Sequence, residues 1–311
     1  MEIPAVIITG ARRSGTHLVY RLLDNHPNLF NSLVEVYFLE YLYQLSPKAR
    51  GCFVDYYFTA DLDDLFDVVF ERELLPLYRG NVSYEKGVVA ADQLFAQVDE
   101  KVLKVQVENR RKAVASSTEG IWDSWYGGLQ SVMYPDAQIR PTVIKSPDYG
   151  KSALGASEFL STFKVIFIVR NPLFALSSLR KLRSNQPHRW KFTTVRVLSE
   201  LSSYIEMYQA IEYFQTKHPA QTIVIRFEDL IREPERTQST LAEFLNIPYD
   251  NILLQPTFNG KDWHGDSSFE RHTGLSKKTL DPSRLLLTHK EMDMVSTCLS
   301  EFLSRYGYDN G

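Results

Sequence analysis

Cysteine is scarce in this sequence, in which Cys52 and Cys298 are the only two. They cannot form a disulfide framework, and neither has a nearby Cys or His at the spacing of a zinc site. Basic charge is not in excess either, because 35 Lys and Arg residues oppose 38 Asp and Glu residues and give a formal net charge of -3. Nucleic acid is therefore not expected as a partner, and any anion must be bound by a local cluster of cations.

The sequence also lacks a long apolar run. No stretch approaches the roughly 18 to 20 residues that are needed to cross a bilayer. Met1 to Pro4 leads directly into a predicted strand, without the basic region, apolar region and cleavage site of a signal peptide. We therefore expect a cytoplasmic protein without a membrane segment.

Short β-branched runs alternate with helical patterns along most of the chain. Strands are predicted at 5–8, 142–144, 164–169 and 223–225, and helices near 18–23, 151–161, 172–183, 193–217, 234–246 and 288–306. This alternation is typical of a parallel sheet with helices on both faces. The sequence thus predicts one α/β domain over 1–311, with a central parallel sheet flanked by helices and a P-loop-like phosphate loop.

The segment from about 36 to 140 interrupts the alternation with mostly helical, aromatic and acidic sequence. Between 36 and 100 it has twelve acidic and five basic residues. One interpretation is a helical insertion over the substrate side, and the alternative is an ordinary helical cap with a solvated acidic face. The charge would repel polyanionic glycans, whereas the aromatic residues favour a small aromatic or cationic ligand.

Residues 10–16 (GARRSGT) join the first predicted strand to the first helix. At such a junction, unpaired N–H groups and the positive helix end favour a phosphate. Two glycines five residues apart resemble a nucleotide P-loop, but Gly15 is followed by Thr16 and His17 instead of Lys and Ser or Thr. A metal-dependent kinase is therefore the weaker interpretation, and a phosphate beside a second anionic group fits better.

Two motifs resemble those of the sulfotransferase superfamily. Arg13-Ser14-Gly15-Thr16 is similar to the loop that binds the donor's 5′-phosphosulfate. The run from Val165 to Pro172, followed by Ser177 and Ser178, is similar to the 3′-phosphate motif, which has an arginine at a strand end and a serine eight residues later. In this sequence that arginine is Arg170, and a guanidinium with a nearby hydroxyl can hold a terminal phosphate dianion.

Three further stretches extend the resemblance over nearly the whole chain. Residues 144–147 are similar to the central strand that ends in a lysine, here Lys145. Residues 226–230 are similar to an aromatic-Glu-Asp strand end, although Phe227 stands where many relatives have tyrosine. Residues 255–280 resemble the loop that covers the donor.

The resemblance implies that the chain uses 3′-phosphoadenosine 5′-phosphosulfate (PAPS) as cosubstrate, releases 3′-phosphoadenosine 5′-phosphate (PAP), and needs no metal. The implied donor-binding residues are Arg12, Arg13, Ser14, Gly15, Thr16, His17, Arg170, Ser178, Phe227, Arg271, His272 and Gly274. Arg13 and Lys145 are the cations expected to stabilise negative charge on the leaving phosphate. The acceptor is expected to be a small molecule, with its hydroxyl or amine sulfated.

A base must also take the acceptor's proton. One branch of the family uses a histidine two residues after the central lysine, where this chain has Pro147. The other branch, which includes heparan-type and several bacterial enzymes, uses a glutamate after the first helix, and residues 33–38 resemble that segment. The resemblance thus implies Glu35, whose pKa apolar neighbours would raise toward the working pH. The competing candidates are His17, His264 and Asp148.

Two other functions stay open. A small-molecule kinase would need magnesium at the same phosphate loop. A catalytically silent nucleotide-binding protein would keep both phosphate motifs and use the acidic insertion for a partner, although the presence of Glu35 and Lys145 argues against it. The oligomeric state is not predicted.

Overall fold

Five parallel strands form the central sheet in a computed structural model, which describes residues 3–32, 39, 43, 99–113, 118–184, 192–265, 267–270 and 274–308. They are β1 (Ala5–Gly10), β2 (Phe30–Asn31), β3 (Thr142–Ser146), β4 (Phe163–Val169) and β5 (Thr222–Arg226), in the order β2-β3-β1-β4-β5. Every residue of β1 and β3 is buried. Burial on both faces explains why Ala5 to Ile8 of β1 are all apolar and do not alternate with polar residues.

The described helices follow the strands as in other α/β folds. They are α1 (Thr16–Leu22), α2 (Glu100–Ala113), α3 (Thr118–Met133), α4 (Lys151–Phe159), α5 (Pro172–Arg183), α6 (Thr194–Lys217), α7 (Phe227–Arg232), α8 (Pro234–Leu245), α9 (His289–Cys298) and α10 (Ser300–Arg305). Short 3₁₀ helices lie at Pro219–Gln221, Asn251–Leu254, Lys277–Leu280 and Pro282–Arg284, and an antiparallel hairpin is formed by β6 (Thr257–Phe258) and β7 (Lys261–Asp262). Among the described helices, none is long and apolar enough to cross a membrane.

The predicted fold class, α/β with a central parallel sheet flanked by helices, is confirmed. Two elements differ from the expected pattern. The helix predicted near 288–306 is divided into α9 and α10, because buried Leu299 leaves helical dihedral angles (φ -117°, ψ 22°). The two-residue strand β2 was not predicted, since so short a segment carries no periodicity. The expected bounds of the insertion and of the donor-covering loop stay predictions.

The chain groups into two compact units. The first comprises Met1–Ile7, Asn25–Ile144 and Lys151–Lys164. Within its described part, Ile3 is held at both backbone groups: its N–H donates to Asp123 Oδ1 at 2.7 Å, and its carbonyl accepts from Trp122 Nε1 at 3.0 Å. Burial is the main cause of the raised pKa of Asp123. These bonds attach the start of β1 to α3.

The second unit comprises Ile8–Asp24, Lys145–Gly150 and Val165–Gly311. Its core includes Phe167 of β4 and Phe214 of α6, whose ring centroids are 5.6 Å apart. Arg180 of α5 forms a bidentate pair with Glu291, which also completes the capping box of α9. Every described residue of the predicted donor site belongs to this unit.

Candidate active site

The phosphate loop turns sharply between β1 and α1. Arg13 and Gly15 both have left-handed backbone conformations, with φ of 66° and 101°. The Ser14 N–H donates to the Ala11 carbonyl at 3.1 Å, which closes the turn. The Ser14 hydroxyl is buried and has no hydrogen-bond partner among the described residues. A buried hydroxyl without a partner in a loop that leads into a helix fits an anionic ligand.

Phe227 packs directly against this loop. A Cβ added to Gly15 would lie 2.3 Å from Phe227 Cδ2, so only glycine permits this approach. The ring also lies against Arg170, whose Cζ is 4.3 Å from the ring centroid. Phe227 is the first residue of α7, one position after the end of β5, instead of the last residue of a strand. The predicted aromatic therefore lies between the two phosphate motifs.

Arg170 is buried at the end of β4. Its Nη1 donates to the Arg13 carbonyl at 2.9 Å and its Nη2 donates to the Thr279 carbonyl at 3.1 Å. Its Nε has no partner among the described residues. Burial is the main cause that lowers its pKa to about 10, and Arg13 lowers it further, while Glu228 raises it. A buried guanidinium that its neighbours neutralise incompletely is suited to bind an anion.

Ser178 lies beside both arginine-bearing motifs. Its Oγ accepts from Arg13 Nε at 3.2 Å and lies 3.3 Å from Ser268 Oγ. The adjacent Ser177 instead accepts from the Leu286 N–H at 2.9 Å. Of these two serines, Ser178 is the one that contacts Arg13, and its role as a phosphate ligand stays a prediction.

The start of α5 is fixed by local contacts. Pro172 occupies the first turn, and the Asn171 side chain caps the helix by accepting from the Leu173 N–H at 2.9 Å. The Asn171 N–H donates to Glu228 Oε1 at 3.0 Å, and Tyr308 donates its hydroxyl to Glu228 Oε2 at 2.7 Å. Glu228 thus connects the residue after Arg170 to the C-terminal part of the chain.

Lys145 lies near the carboxyl end of β3 and is buried, with 2% exposure. In the turn that follows, Asp148 Oδ1 accepts from the Thr9 hydroxyl at 2.8 Å and from the Gly150 N–H at 3.2 Å. The Tyr149 N–H donates to the Gly10 carbonyl at 3.2 Å. These bonds give Asp148 a structural task in joining the β3 turn to the end of β1, which weakens it as a candidate base.

His17 is the second residue of α1 and packs against Trp263 from the β6–β7 region. The ring centroids are 5.2 Å apart and the planes are inclined by 44°. The hairpin is attached to α1's end by Asp24, whose Oδ2 accepts from the Thr257 hydroxyl at 2.8 Å and the Gly260 N–H at 3.1 Å. His264, another candidate base, is exposed.

The remaining predicted residues fall into two groups. Three of them are described. Thr16 is buried, and Gly274 has a left-handed φ of 75°. Arg12 is largely exposed, with its Nη1 3.8 Å from Glu200 Oε1. Glu35, Arg271 and His272 lie outside the described residues. The structure therefore brings together four of the predicted residues, Arg13, Ser178, Arg170 and Phe227. It also shows contacts of Ser268, Thr279 and Glu228 in this region that the sequence did not predict.

These features define an α/β protein in which the loop after β1 and the Arg170–Ser178 segment after β4 are joined by hydrogen bonds. A model described as the sulfotransferase family matches residues 4–251, and the chain belongs to that family. Its fold is similar to that of the sulfotransferase domain from the Synechococcus PCC 7002 olefin synthase, with 19% identity, a TM-score of 0.59, and coverage of 96% of this chain and 95% of that one.

Two further structures are similar at lower scores. The sulfotransferase domain from the curacin biosynthetic pathway has 19% identity and a TM-score of 0.49 over 96% of this chain and 99% of that one. Sulfotransferase STF9 from Mycobacterium avium has 13% identity and a TM-score of 0.48 over 98% of this chain and 77% of that one. None of the curated proteins compared with the chain matches it significantly.

Proposed function

We propose that this protein transfers the sulfuryl group of PAPS to a small-molecule acceptor and releases PAP. The observation that carries the proposal is the cluster of Arg170, Ser178 and Arg13, in which hydrogen bonds join the two motifs. A donor with a 3′-phosphate and a 5′-phosphosulfate requires two such motifs side by side. The family of the chain and its fold support sulfuryl transfer as the reaction.

The residues present fit this donor. The loop from Arg13 to Thr16, with the buried Ser14 hydroxyl, would hold the 5′-phosphosulfate. The unpartnered Nε of Arg170 and the Ser178 hydroxyl would hold the 3′-phosphate. Phe227, packed between the two motifs, has the apolar face that an adenine requires, and it lacks the hydroxyl that tyrosine would add.

The chain's own residues have three tasks in the proposed reaction. The donor supplies the sulfuryl group, and the loop aligns it for in-line attack. Buried Lys145, together with Arg13, stabilises the negative charge that develops on the leaving phosphate. Glu35 takes the proton of the acceptor's hydroxyl or amine, and His17 is the alternative base. The small-molecule acceptor and the cytoplasmic location stay predictions.

Calorimetry of nucleotide binding tests the donor assignment. We expect PAP to bind in the presence of EDTA and at least about tenfold more tightly than AMP, because charge-assisted hydrogen bonds to a buried anion contribute about 1.5–3 kcal/mol. Arg170→Ala and Ser178→Ala should lose most of this preference. Ser177→Ala is the matched control and should keep it, since Ser177 bonds to the Leu286 backbone instead.

Equal affinity for PAP and AMP, or a strict requirement for Mg²⁺, would contradict the proposal and favour the kinase alternative. Incubation of the protein with ³⁵S-labelled PAPS and a metabolite library then tests catalysis. Labelled product is expected in at least one acceptor fraction. PAP binding without turnover of any acceptor would favour the non-catalytic alternative.

A further inference from the structure

Glu200 is a buried carboxylate of α6 to which the proposed reaction gives no task. Only 4% of the residue is exposed. Its Oε2 accepts from the Tyr149 hydroxyl, and its Oε1 lies 3.2 Å from Arg196 Nε and 3.8 Å from Arg12 Nη1. A buried charge is retained where partners offset its desolvation, and this one has a hydroxyl and two guanidinium groups. Glu200 therefore contacts one residue of its own helix and one residue in each of two loops.

Each of these two loops carries a cation that is assigned to the proposed reaction. Arg12 directly precedes Arg13 in the phosphate loop, and Tyr149 lies four residues after Lys145 in the turn that follows β3. The hydrogen bonds that join this turn to β1 reach only the end of that strand. Glu200 adds a link to the phosphate loop itself, at the residue beside Arg13.

Tyr149 is held so that its hydroxyl stays on Glu200. Its backbone is left-handed (φ 60°), which is uncommon for a residue with a Cβ and requires support from its surroundings. Its ring packs edge-on against Tyr204 of α6, with centroids 6.0 Å apart. The next residue, Gly150, lies so close to α6 that an added Cβ would be 2.9 Å from Ala210 Cβ. Burial, together with the charge of Glu200, raises the pKa of Tyr149, so the hydroxyl keeps the proton that it donates.

Arg12 depends on its partner for a fixed direction. Its side chain is 44% exposed, and an exposed arginine loses rotamer freedom when it is held in one geometry. An ion pair between two mobile surface groups would contribute little. Here the carboxylate of Glu200 is buried and held by the Tyr149 hydroxyl, so it offers Arg12 one preferred direction. Arg196 approaches the same Oε1 from one turn earlier in α6, so it offsets charge without linking one loop to the other.

We propose that Glu200 is a positioning residue for sulfuryl transfer, an inference that rests on the proposed function. Its carboxylate holds the phosphate loop at Arg12 and the β3 turn at Tyr149. The spacing between Arg13 and Lys145, the cations assigned to the leaving phosphate, follows from these two contacts. A misplacement of about 1 Å in an active site can lower the rate by about 10²-fold. Glu200 thus acts on the rate, whereas donor affinity depends chiefly on the 3′-phosphate motif.

The test follows the rate at which ³⁵S label leaves PAPS at saturating donor. The full chain is incubated with the metabolite library, so that transfer to any acceptor or to water is counted. Glu200→Gln removes the charge that holds Arg12, and Tyr149→Phe removes the hydroxyl contact. Each should lower the rate by about ten- to hundredfold and change PAP affinity by less than about threefold. The double variant should be no slower than the slower single variant, because either change already breaks the link.

Arg196→Gln is the matched control. It removes the closer guanidinium group from the same Oε1, so it reproduces a loss of ion-pair stability, and it should keep the wild-type rate. The inference is wrong if either single variant keeps the wild-type rate, if the two losses multiply in the double variant, or if Arg196→Gln slows transfer as much as Glu200→Gln. If the wild type binds PAP no more tightly than AMP, or releases no label from PAPS, the proposed function fails instead.

Discussion

Replacement of Gly15 by alanine tests how the phosphate loop and Phe227 depend on each other. Two separate costs are expected. Gly15 has a φ of 101°, and a left-handed conformation costs a residue with a Cβ about 1–2 kcal/mol. The new Cβ would also lie 2.3 Å from Phe227 Cδ2 and 2.8 Å from Cε2, so the ring must move. Such overpacking of a buried site costs about 1–3 kcal/mol.

Gly307 offers a matched control for the first cost. It has a φ of 65°, and nothing lies within 4 Å of an added Cβ. Gly307→Ala should therefore lower the free energy of unfolding by only about 1–2 kcal/mol, whereas Gly15→Ala should lower it by about 2–5 kcal/mol. Urea unfolding followed by circular dichroism measures both values.

A double-mutant cycle isolates the second cost. In a Phe227→Val background the atoms nearest to the new Cβ are gone, so Gly15→Ala should cost no more than Gly307→Ala. With Phe227 present, Gly15→Ala should also weaken PAP binding by more than tenfold, because the Phe227 ring that it displaces lies 4.3 Å from Arg170 Cζ. An equal cost of Gly15→Ala in both backgrounds would refute the argument that Phe227 requires glycine at this position.

Three further predictions concern catalysis and acid stability. Glu35→Gln should keep PAP affinity but lose about two to four orders of magnitude in kcat, and the acidic limb of the pH–rate profile should disappear. A near-normal rate would exclude Glu35 as the base. In steady-state assays, Arg13→Ala and Lys145→Ala should lower kcat more than they lower PAP affinity. Loss of affinity alone would show that Arg13 and Lys145 only bind the donor. Hydrogen bonds from Arg180 lower the pKa of Glu291 from 4.5 to about 2. The ionised carboxylate therefore contributes about 3 kcal/mol to the free energy of unfolding above pH 4.5, and this contribution is lost as the pH falls toward 2. Glu291→Gln should therefore destabilise the protein in urea unfolding at pH 7 but not near pH 2, and an equal effect at both would contradict this.

Local sequence was sufficient to predict the backbone features around the phosphate loop, whereas the donor-binding roles stay predictions. The turn of the phosphate loop and the position of Arg170 at a strand end each depend on residues only a few positions apart, and both are found in the structure. Phe227 was assigned to a strand end but begins α7, a shift of one residue that leaves its side chain beside Gly15. Boundaries of this kind are set by tertiary contacts that local propensity does not contain.

The contacts of Ser268 and Thr279 could not be predicted in the same way. They lie 90 and 109 residues from their partners Ser178 and Arg170, and neither has a local sequence pattern that predicts the contact. Glu228 is a different case, because it belongs to the motif at residues 226–230, but the sequence did not predict which groups its carboxylate binds. Only the folded chain shows that its carboxylate joins the Asn171 N–H to the Tyr308 hydroxyl.

The two phosphate motifs are not independent, because Arg170 holds the carbonyl of Arg13 while Arg13 Nε donates to Ser178. The Arg170 bond helps to keep Arg13 in its left-handed conformation (φ 66°). A lysine at position 170 would keep a positive charge, but a single ammonium group cannot reproduce the fork that contacts both the Arg13 and Thr279 carbonyls. Arg170→Lys should therefore weaken AMP binding as well as PAP binding, since release of the loop disturbs the 5′-phosphate site. Unchanged AMP affinity with reduced PAP affinity would show that Arg170 acts on the 3′-phosphate alone.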